Sequence, residues 1–186
     1  IWLVYEKFCS MAQDNGYYFF KYCMENLSDE EKKNIYYVID KKAPDYEKIK
    51  EYDDHIIQFM SLKHVLYVLA AVLYVASDSR THLYAWRCKT SLIRSKIDKR
   101  PIFFLQHGVT ALKQVGPLFG RKGSSPMTYF ATTSKFEQDI VVKYLDYSEA
   151  KSPITGFTRW DVLEDTSTKD DKLILLMPTW RSWLEE

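Results

Sequence analysis

The chain has 186 residues, of which 46% are hydrophobic and 16% aromatic, and its formal net charge is +1. A chain of this length and composition can bury a proper core, which excludes a disordered or fibrous protein. The positive stretch within the chain makes nucleic acid conceivable as a partner, but the near-neutral total charge and the absence of a nucleic-acid-binding motif argue against it, so we expect no nucleic-acid partner.

Short β-branched or aromatic runs alternate with longer mixed segments along the chain. This alternation predicts βα units and therefore an α/β fold with a parallel sheet. The predicted strands are residues 2–6, 35–39, 56–59, 73–76, 102–106, 128–132, 152–154 and 173–177. The predicted helices are residues 16–25, 62–71, 85–95 and 135–145.

The last predicted helix follows Ser134, and Glu137 stands three residues further along. This spacing predicts a capping box, because the Ser and Glu side chains can each bind an unpaired backbone N–H at the helix start. An ordinary structural cap accounts for both residues.

The ends of the chain lie close to predicted strands, so we expect a fragment cut from a longer protein at both sides. No signal peptide is visible at the first residues. The longest apolar run, residues 65–76, is shorter than the roughly 20 residues that a membrane-spanning helix needs. The polar residues 161–172 predict a linker between a first lobe and a second lobe that opens with the strand at 173–177.

A histidine and a glycine, His107 and Gly108, stand at the C-terminal tip of the fifth predicted strand. Ligands bind at that tip in an open α/β sheet. Between Arg80 and Gly123 the chain carries ten Lys and Arg residues and a single acid, a local charge of +9 that attracts anions. His107 is therefore a candidate functional residue, and the alternative is a histidine that caps a turn or fills a polar gap.

Two further loops carry an arginine after a predicted strand, with an aromatic residue beside it. Arg159 lies in the loop 156–161 and Arg181 in the loop 178–181. A guanidinium held in this way can fork onto phosphate oxygens. The alternative for each arginine is an ion pair at the surface or between lobes, and Asp161 then serves to orient Arg159.

Several familiar site patterns are absent from the sequence. The glycines do not form a dinucleotide fingerprint or a phosphate-binding loop, and there is no Asp-x-Asp pair for a divalent ion. The four histidines and three cysteines never stand at metal-ligand spacing, and the cysteines favour a reducing compartment. We therefore expect neither a metal nor another cofactor.

Residues 84–97 interleave basic and apolar side chains. This pattern is typical of a helix that lies on an anionic membrane surface. The alternative is a solvated helix face that packs on the sheet.

Six segments, taken in order along the chain, carry a family resemblance: 14–22, 36–40, 106–108, 133–137, 156–161 and 177–183. Together they resemble the CDP-glycerol glycerophosphotransferases, the family of the teichoic acid polymerases. One departure is the pair Phe157-Thr158, which stands where the family pattern has Leu-Pro.

The resemblance implies a two-lobed glycosyltransferase-B-like fold. Residues 1–160 would form an N-terminal, acceptor-side Rossmann-like lobe, residues 161–172 a linker, and residues 173–186 the start of a truncated C-terminal donor-binding lobe. Family members work at the cytoplasmic face of the membrane on a lipid-linked polymer, so the implied partners are CDP-glycerol or CDP-ribitol, a lipid-linked polyanionic acceptor and an anionic membrane surface.

The implied reaction is attack by a terminal hydroxyl of the acceptor on the β-phosphorus of CDP-glycerol, with release of CMP. His107 matches the family's histidine and would act as the base, with a pKa near the ordinary histidine value of about 6.5. The resemblance assigns substrate and phosphate binding to Gly108, Arg159, Asp161, Thr179 and Arg181. Two alternatives stay open: a non-catalytic lobe that binds an anionic polymer or membrane, and a nucleotide-sugar glycosyltransferase of the same fold.

Overall fold

The structure, a computed structural model, describes residues 1–85, 92–111, 113–168, 174 and 176. Its strands are β1 (Trp2–Tyr5), β2 (Ile35–Ile39), β3 (Ile56–Gln58), β4 (Leu73–Ala76), β5 (Ile102–Phe104) and β6 (Tyr129–Phe130). Its α-helices are α1 (Asn15–Asn26), α2 (Asp29–Lys32), α3 (Leu62–Ala70), α4 (Leu92–Lys99), α5 (Gly116–Phe119) and α6 (Lys135–Leu145). Short 3-10 helices cover Lys7–Cys9, Pro44–Lys48, Lys50–His55, Arg80–Leu83, Glu149–Lys151 and Thr158–Val162.

All six strands run parallel in one sheet, in the order β3-β2-β1-β4-β5-β6. Such a sheet buries both faces, because every crossover places a helix against one of them. Leu3 and Tyr5 pack in a core cluster with residues of α3, α4 and α6, whereas Val4 packs in a second cluster with residues of α1. The predicted α/β fold with a parallel, Rossmann-like sheet is therefore confirmed.

Two predicted strands differ from the structure. The one at 152–154 is reduced to a single parallel bridge between Ile154 and Thr132. Pro153 has no backbone N–H and cannot donate to a strand ladder, which explains why the pairing stops there. The strand predicted at 173–177 lies outside the described residues, apart from Ile174 and Leu176, which are not in a strand.

The helix predicted at 85–95 is displaced toward the C-terminus. Ala85 is not helical, residues 86–91 lie outside the described part of the chain, and α4 runs on to Lys99. Ile97 of this helix is buried in the core, and Arg94 pairs with Asp98 at 2.7 Å. The described part of this segment is thus a helix packed on the sheet. Across the described ranges no helix is long and apolar enough to span a membrane.

The strand order places a crevice at one edge of the sheet. The connections of β1 and β4, which are neighbours, leave the sheet in opposite directions, and ligands of doubly wound folds bind at the carboxyl ends of such a strand pair. The segments that follow β1, β4 and β5 begin at Glu6, Ser77 and Leu105. Side chains from these three segments can therefore meet at this edge.

Candidate active site

His107 lies just beyond the carboxyl end of β5, as the sequence predicts. Its side chain is 51% exposed, so the imidazole is not sealed among apolar neighbours. It lines a pocket of about 400 Å³ at the crevice between β1 and β4. The other residues that line this pocket are Glu6, Lys7, Met11, Gln13, Asp14 and Asp78.

Both ring nitrogens of His107 face carboxylates. Nδ1 lies 2.6 Å from Oδ2 of Asp14, and Nε2 lies 3.0 Å from Oδ1 of Asp78. An imidazole can donate from both nitrogens only when it is protonated. The hydrogen bonds to Asp14 and Asp78 accordingly raise the pKa of His107 to about 9, rather than the value near 6.5 expected from the sequence.

The pocket around His107 is acidic, contrary to the positive surroundings expected from the local sequence charge. Three carboxylates, those of Glu6, Asp14 and Asp78, line it together with the single lysine Lys7. Those basic residues of the +9 stretch that the structure describes do not line this pocket. Arg80, for example, is buried and donates to backbone carbonyl groups 2.6 and 2.8 Å away.

Asp14 joins His107 to Arg159. Its side chain caps α1 by accepting the N–H of Asn15 at 2.8 Å, and the same oxygen, Oδ1, pairs with Nη1 of Arg159. The backbone N–H of Arg159 donates to Oδ1 of Asn15 at 3.2 Å, and the Thr158 hydroxyl donates to the carbonyl oxygen of Asn15 at 2.6 Å. Burial raises the pKa of Asp14, but hydrogen bonds from His107, the Asn15 N–H and Arg159 outweigh burial and lower it.

Glu6 occupies the N-terminus of α1. Its buried carboxylate accepts the N–H groups of Gln13, Asp14 and Tyr17 at 2.9, 2.9 and 2.7 Å. Burial raises the pKa of Glu6 to about 7. In dinucleotide-binding folds the pyrophosphate lies at the N-terminus of the first helix. Here a carboxylate of the protein takes those backbone donors instead.

Glu137 holds the loop that carries His107. Its fully buried carboxylate accepts Nε2 of Gln106 at 3.0 Å and the N–H of Thr110 at 2.6 Å through Oε1, and the N–H and hydroxyl of Thr133 at 2.7 Å each through Oε2. Ser134 caps α6 by accepting the N–H of Glu137 at 3.2 Å. The predicted cap is therefore confirmed, but the reciprocal half of the capping box does not form because the loops compete for the Glu137 carboxylate.

We expect Glu137→Gln to destabilise the protein. The new amide group faces backbone N–H donors, and each buried polar group left without a partner costs about 1–3 kcal/mol. Urea denaturation should show a free energy of unfolding lower by about that amount. The matched control Glu149→Gln removes an exposed carboxylate that pairs with Lys135 at 2.8 Å, and should change the stability by less than about 1 kcal/mol. Equal stability of the two variants would contradict the role given to Glu137.

Within the part of the chain that the structure describes, no contact indicates substrate binding by the other site residues predicted from the sequence, Gly108, Asp161, Thr179 and Arg181. Gly108 is exposed next to His107, and a Cβ atom there would meet no atom within 4 Å. Asp161 is exposed, and its side chain takes part in no hydrogen bond or ion pair among the described residues, so the carboxylate that binds Arg159 is that of Asp14. Thr179 and Arg181 lie outside the described residues.

Sequence reasoning missed the carboxylates that surround His107. Asp78 follows β4, and Glu6 and Asp14 belong to the segment that follows β1. The available signal was the presence of acidic residues after two predicted strands. These acidic residues meet at one site only because the two strands are neighbours in the sheet, and a single sequence does not show which strands are neighbours. Among the residues that the structure describes, no group of three or more His, Cys, Asp or Glu is arranged to hold a metal ion.

The fold is similar to that of solved teichoic acid polymerase structures. A wall teichoic acid polymerase TagF variant soaked with CDPG matches with a TM-score of 0.55 and 12% identity, over 87% of this chain and 40% of that one. A second TagF variant matches with a TM-score of 0.54 and 14% identity over the same shares. At this identity the likeness concerns the fold, and it confirms a Rossmann-like lobe of the glycosyltransferase-B-like kind.

Sequence comparison gives the family. The minor teichoic acid biosynthesis protein GgaB of Bacillus subtilis (strain 168) is 30% identical over 187 residues, which are 97% of this chain and 19% of GgaB. The chain thus spans about a fifth of that relative. The family model for CDP-glycerol:poly(glycerophosphate) glycerophosphotransferase matches residues 3–185. Because this match covers nearly the whole chain, the chain belongs to the CDP-glycerol:poly(glycerophosphate) glycerophosphotransferase family.

Proposed function

We propose that this chain is the acceptor-side lobe of an enzyme that transfers glycerol phosphate from CDP-glycerol to the terminal hydroxyl of a membrane-linked polyol-phosphate chain, releasing CMP. Family membership supports the reaction class. The observation that carries the proposal is the imidazole of His107, which lies in an open pocket between two carboxylates at the strand crevice.

The charge of this pocket favours the acceptor over the donor. Asp14 and Asp78 are hydrogen-bond acceptors for an uncharged hydroxyl end. With Glu6 they offset the positive charges of protonated His107 and Lys7, so the pocket offers no net positive charge to hold the diphosphate of CDP-glycerol. Glu6 also fills the helix N-terminus that would otherwise attract a pyrophosphate. The donor then binds mainly in the lobe that we predict from residue 173 onward, where Thr179 and Arg181 would contact its phosphates.

In the proposed reaction the acceptor oxygen forms a bond to the β-phosphorus of CDP-glycerol. The bond from that phosphorus to the bridging oxygen breaks, and CMP leaves with the electron pair. The hydroxyl proton passes to Nε2 of His107, which must first lose its own proton and its hydrogen bond to Asp78. Arg159, which Asp14 joins to His107, is the proposed group that stabilises charge on the transferring phosphoryl group, and Gly108 and Asp161 remain proposed contacts to the substrate.

The carboxylates of the pocket also argue against the alternative that this lobe only binds an anionic polymer. A lobe that only binds anionic polymer would place cations, not three carboxylates, around its most accessible histidine. We place the enzyme at the cytoplasmic face of the membrane, bound peripherally through anionic lipid, on the strength of the family resemblance. Sedimentation with anionic liposomes, with and without salt, tests that placement because electrostatic binding weakens as salt rises.

A donor panel tests the proposed function. The complete protein should release CMP when given CDP-glycerol and a lipid-linked glycerol phosphate acceptor, and CDP-ribitol in a parallel reaction shows which polyol is used. Release of a nucleoside diphosphate from a nucleotide sugar, with no CMP from either polyol donor, would make the protein a glycosyltransferase instead.

A further inference from the structure

Asp78 has a hydrogen-bonding capacity that the protein leaves unused. The residue is 6% exposed and lines the pocket beside His107. Its Oδ1 accepts Nε2 of His107 at 3.0 Å, and Nδ1 of His82 also lies 3.0 Å from this oxygen. Its Oδ2 is buried and accepts no hydrogen bond from any residue that the structure describes. A buried carboxylate oxygen without a donor is costly, and a rotation of the Asp78 carboxylate toward the pocket that the residue lines would let a ligand hydroxyl supply the missing donor.

The chemistry of the pocket restricts that donor. Burial raises the pKa of Asp78, but the imidazoles of His107 and His82 outweigh burial and hold the pKa below its ordinary value, so Asp78 is an anion at neutral pH. Asp78 and Asp14 disfavour an anionic group beside this carboxylate, so the donor is a neutral or cationic group that carries an O–H or N–H. In the reaction proposed above, the group that enters this pocket is the hydroxyl end of a polyol.

A terminal glycerol unit offers two neighbouring hydroxyls, whereas the reaction needs only one nucleophile. The Asp78 carboxylate lies next to Nε2 of His107, so a hydroxyl bound at Nε2 brings a neighbouring hydroxyl close to Asp78. We propose that Asp78 binds the hydroxyl adjacent to the nucleophilic one, and so selects acceptors that end in a vicinal diol. This inference rests on the proposed function, because it assumes that His107 receives the proton of the attacking hydroxyl.

The step itself remains balanced. The nucleophilic hydroxyl gives its proton to Nε2 of neutral His107 as its oxygen bonds to the β-phosphorus, and CMP leaves with the electrons of the broken P–O bond. The neighbouring hydroxyl keeps its proton and only donates a hydrogen bond to Asp78. Asp78 is therefore a binding residue that orients the acceptor, and its loss should affect diol acceptors far more than acceptors with one hydroxyl.

Two matched acceptors test the inference in the complete enzyme at saturating CDP-glycerol. One lipid-linked acceptor ends in glycerol phosphate, and the other ends in 3-hydroxypropyl phosphate, which lacks only the neighbouring hydroxyl. We expect wild-type enzyme to prefer the diol by about 10- to 100-fold in kcat/KM for CMP release, the range for a hydrogen bond to a charged group. Asp78→Ala should lower this preference to about threefold or less, because no side-chain acceptor remains.

The size-matched variant Asp78→Asn keeps the shape of the side chain and guards against a folding defect in the alanine variant. It should show a preference between those of wild type and Asp78→Ala, since a neutral acceptor binds a hydroxyl more weakly than an anion does. The control Asp54→Asn, at an exposed position, should keep the wild-type preference.

Equal use of the two acceptors by wild type, or an unchanged preference in both Asp78 variants, would overturn the inference while leaving the proposed function intact. No CMP from either acceptor with wild type would instead refute the proposed function, and the inference with it.

Discussion

Replacing His107 with alanine should lower the rate of CMP release by about 10²- to 10⁴-fold, the usual contribution of a general base. An alcohol is a poor nucleophile at neutral pH, and His107 is the titratable imidazole that opens into the pocket at the crevice. The rate is measured in the complete enzyme with saturating CDP-glycerol and a lipid-linked acceptor, by following CMP.

The variant His107→Gln separates proton transfer from hydrogen bonding. Glutamine can still hydrogen-bond to Asp14 or Asp78 but cannot take up a proton at neutral pH, so it should be nearly as impaired as alanine. The control His55→Ala removes an imidazole whose Nδ1 lies 2.9 Å from the carbonyl oxygen of Ile35, at the opposite end of the strands. This control should retain wild-type turnover. Undiminished CMP release by His107→Ala would remove His107 as the base.

The positions of His107 and Arg159 follow from local sequence patterns, whereas their connection does not. Both residues are predicted to follow strands, because apolar runs ending in polar residues identify strand ends in one sequence. His107 does follow β5, whereas the strand predicted before Arg159 is reduced to a single bridge at Ile154. The Asp14 carboxylate that binds both residues is separated from them by 93 and 145 positions. Such a contact depends on strand order, which follows from packing and not from periodicity.

The contacts of Glu137 are a second example of what local sequence patterns do not predict. The sequence places it at the third position of a helix, where a glutamate commonly caps its own helix start. In the fold, Gln106 and Thr110 bring two donors to the same carboxylate, and satisfying these buried donors takes precedence over a capping contact at the surface. The cap at Ser134 is local and was predictable, but the role of Glu137 in holding the His107 loop required the tertiary structure.

The charge of the site also depends on strand order. The charged residues in segment 80–123 sum to a positive charge, but the carboxylates that line the pocket come from the segments after β1 and β4. Because these acids surround His107, the imidazole becomes a stronger base that is mostly protonated at neutral pH. Only the neutral imidazole can act as the base, so we expect the kcat/KM of the enzyme to rise with pH through about 9.

Asp14→Asn should lower kcat by about 10²-fold or more, by analogy with the carboxylate of a serine-protease triad, and should move the pH profile. Asparagine caps helices about as well as aspartate does, so α1 should keep its start. The variant loses one of the two anions that stabilise protonated His107, and the pKa of the ring should fall by about one unit or more. Activity requires the neutral ring, so the rising limb of kcat/KM moves to lower pH, and the deficit relative to wild type is smallest near neutral pH and largest above pH 9.

The interaction between Asp14 and His107 should also make the stability of the fold depend on pH. Protonated His107 stabilises the fold fully below the ordinary histidine pKa of 6.5, and this contribution is lost as pH rises through about 9. Ionised Asp14 contributes above its ordinary pKa of 3.8 and loses its contribution as pH falls below that value. The excess stability of wild type over Asp14→Asn should therefore be largest between pH 3.8 and pH 6.5, where both charges are present in the folded protein.

The control for the pH–rate profile is Asp45→Asn. It removes a carboxylate that binds the Ala12 N–H at 3.0 Å and does not touch His107, so the rising limb of its kcat/KM should coincide with that of wild type. A limb that stays at the wild-type pH in Asp14→Asn would show that Asp14 does not act on His107.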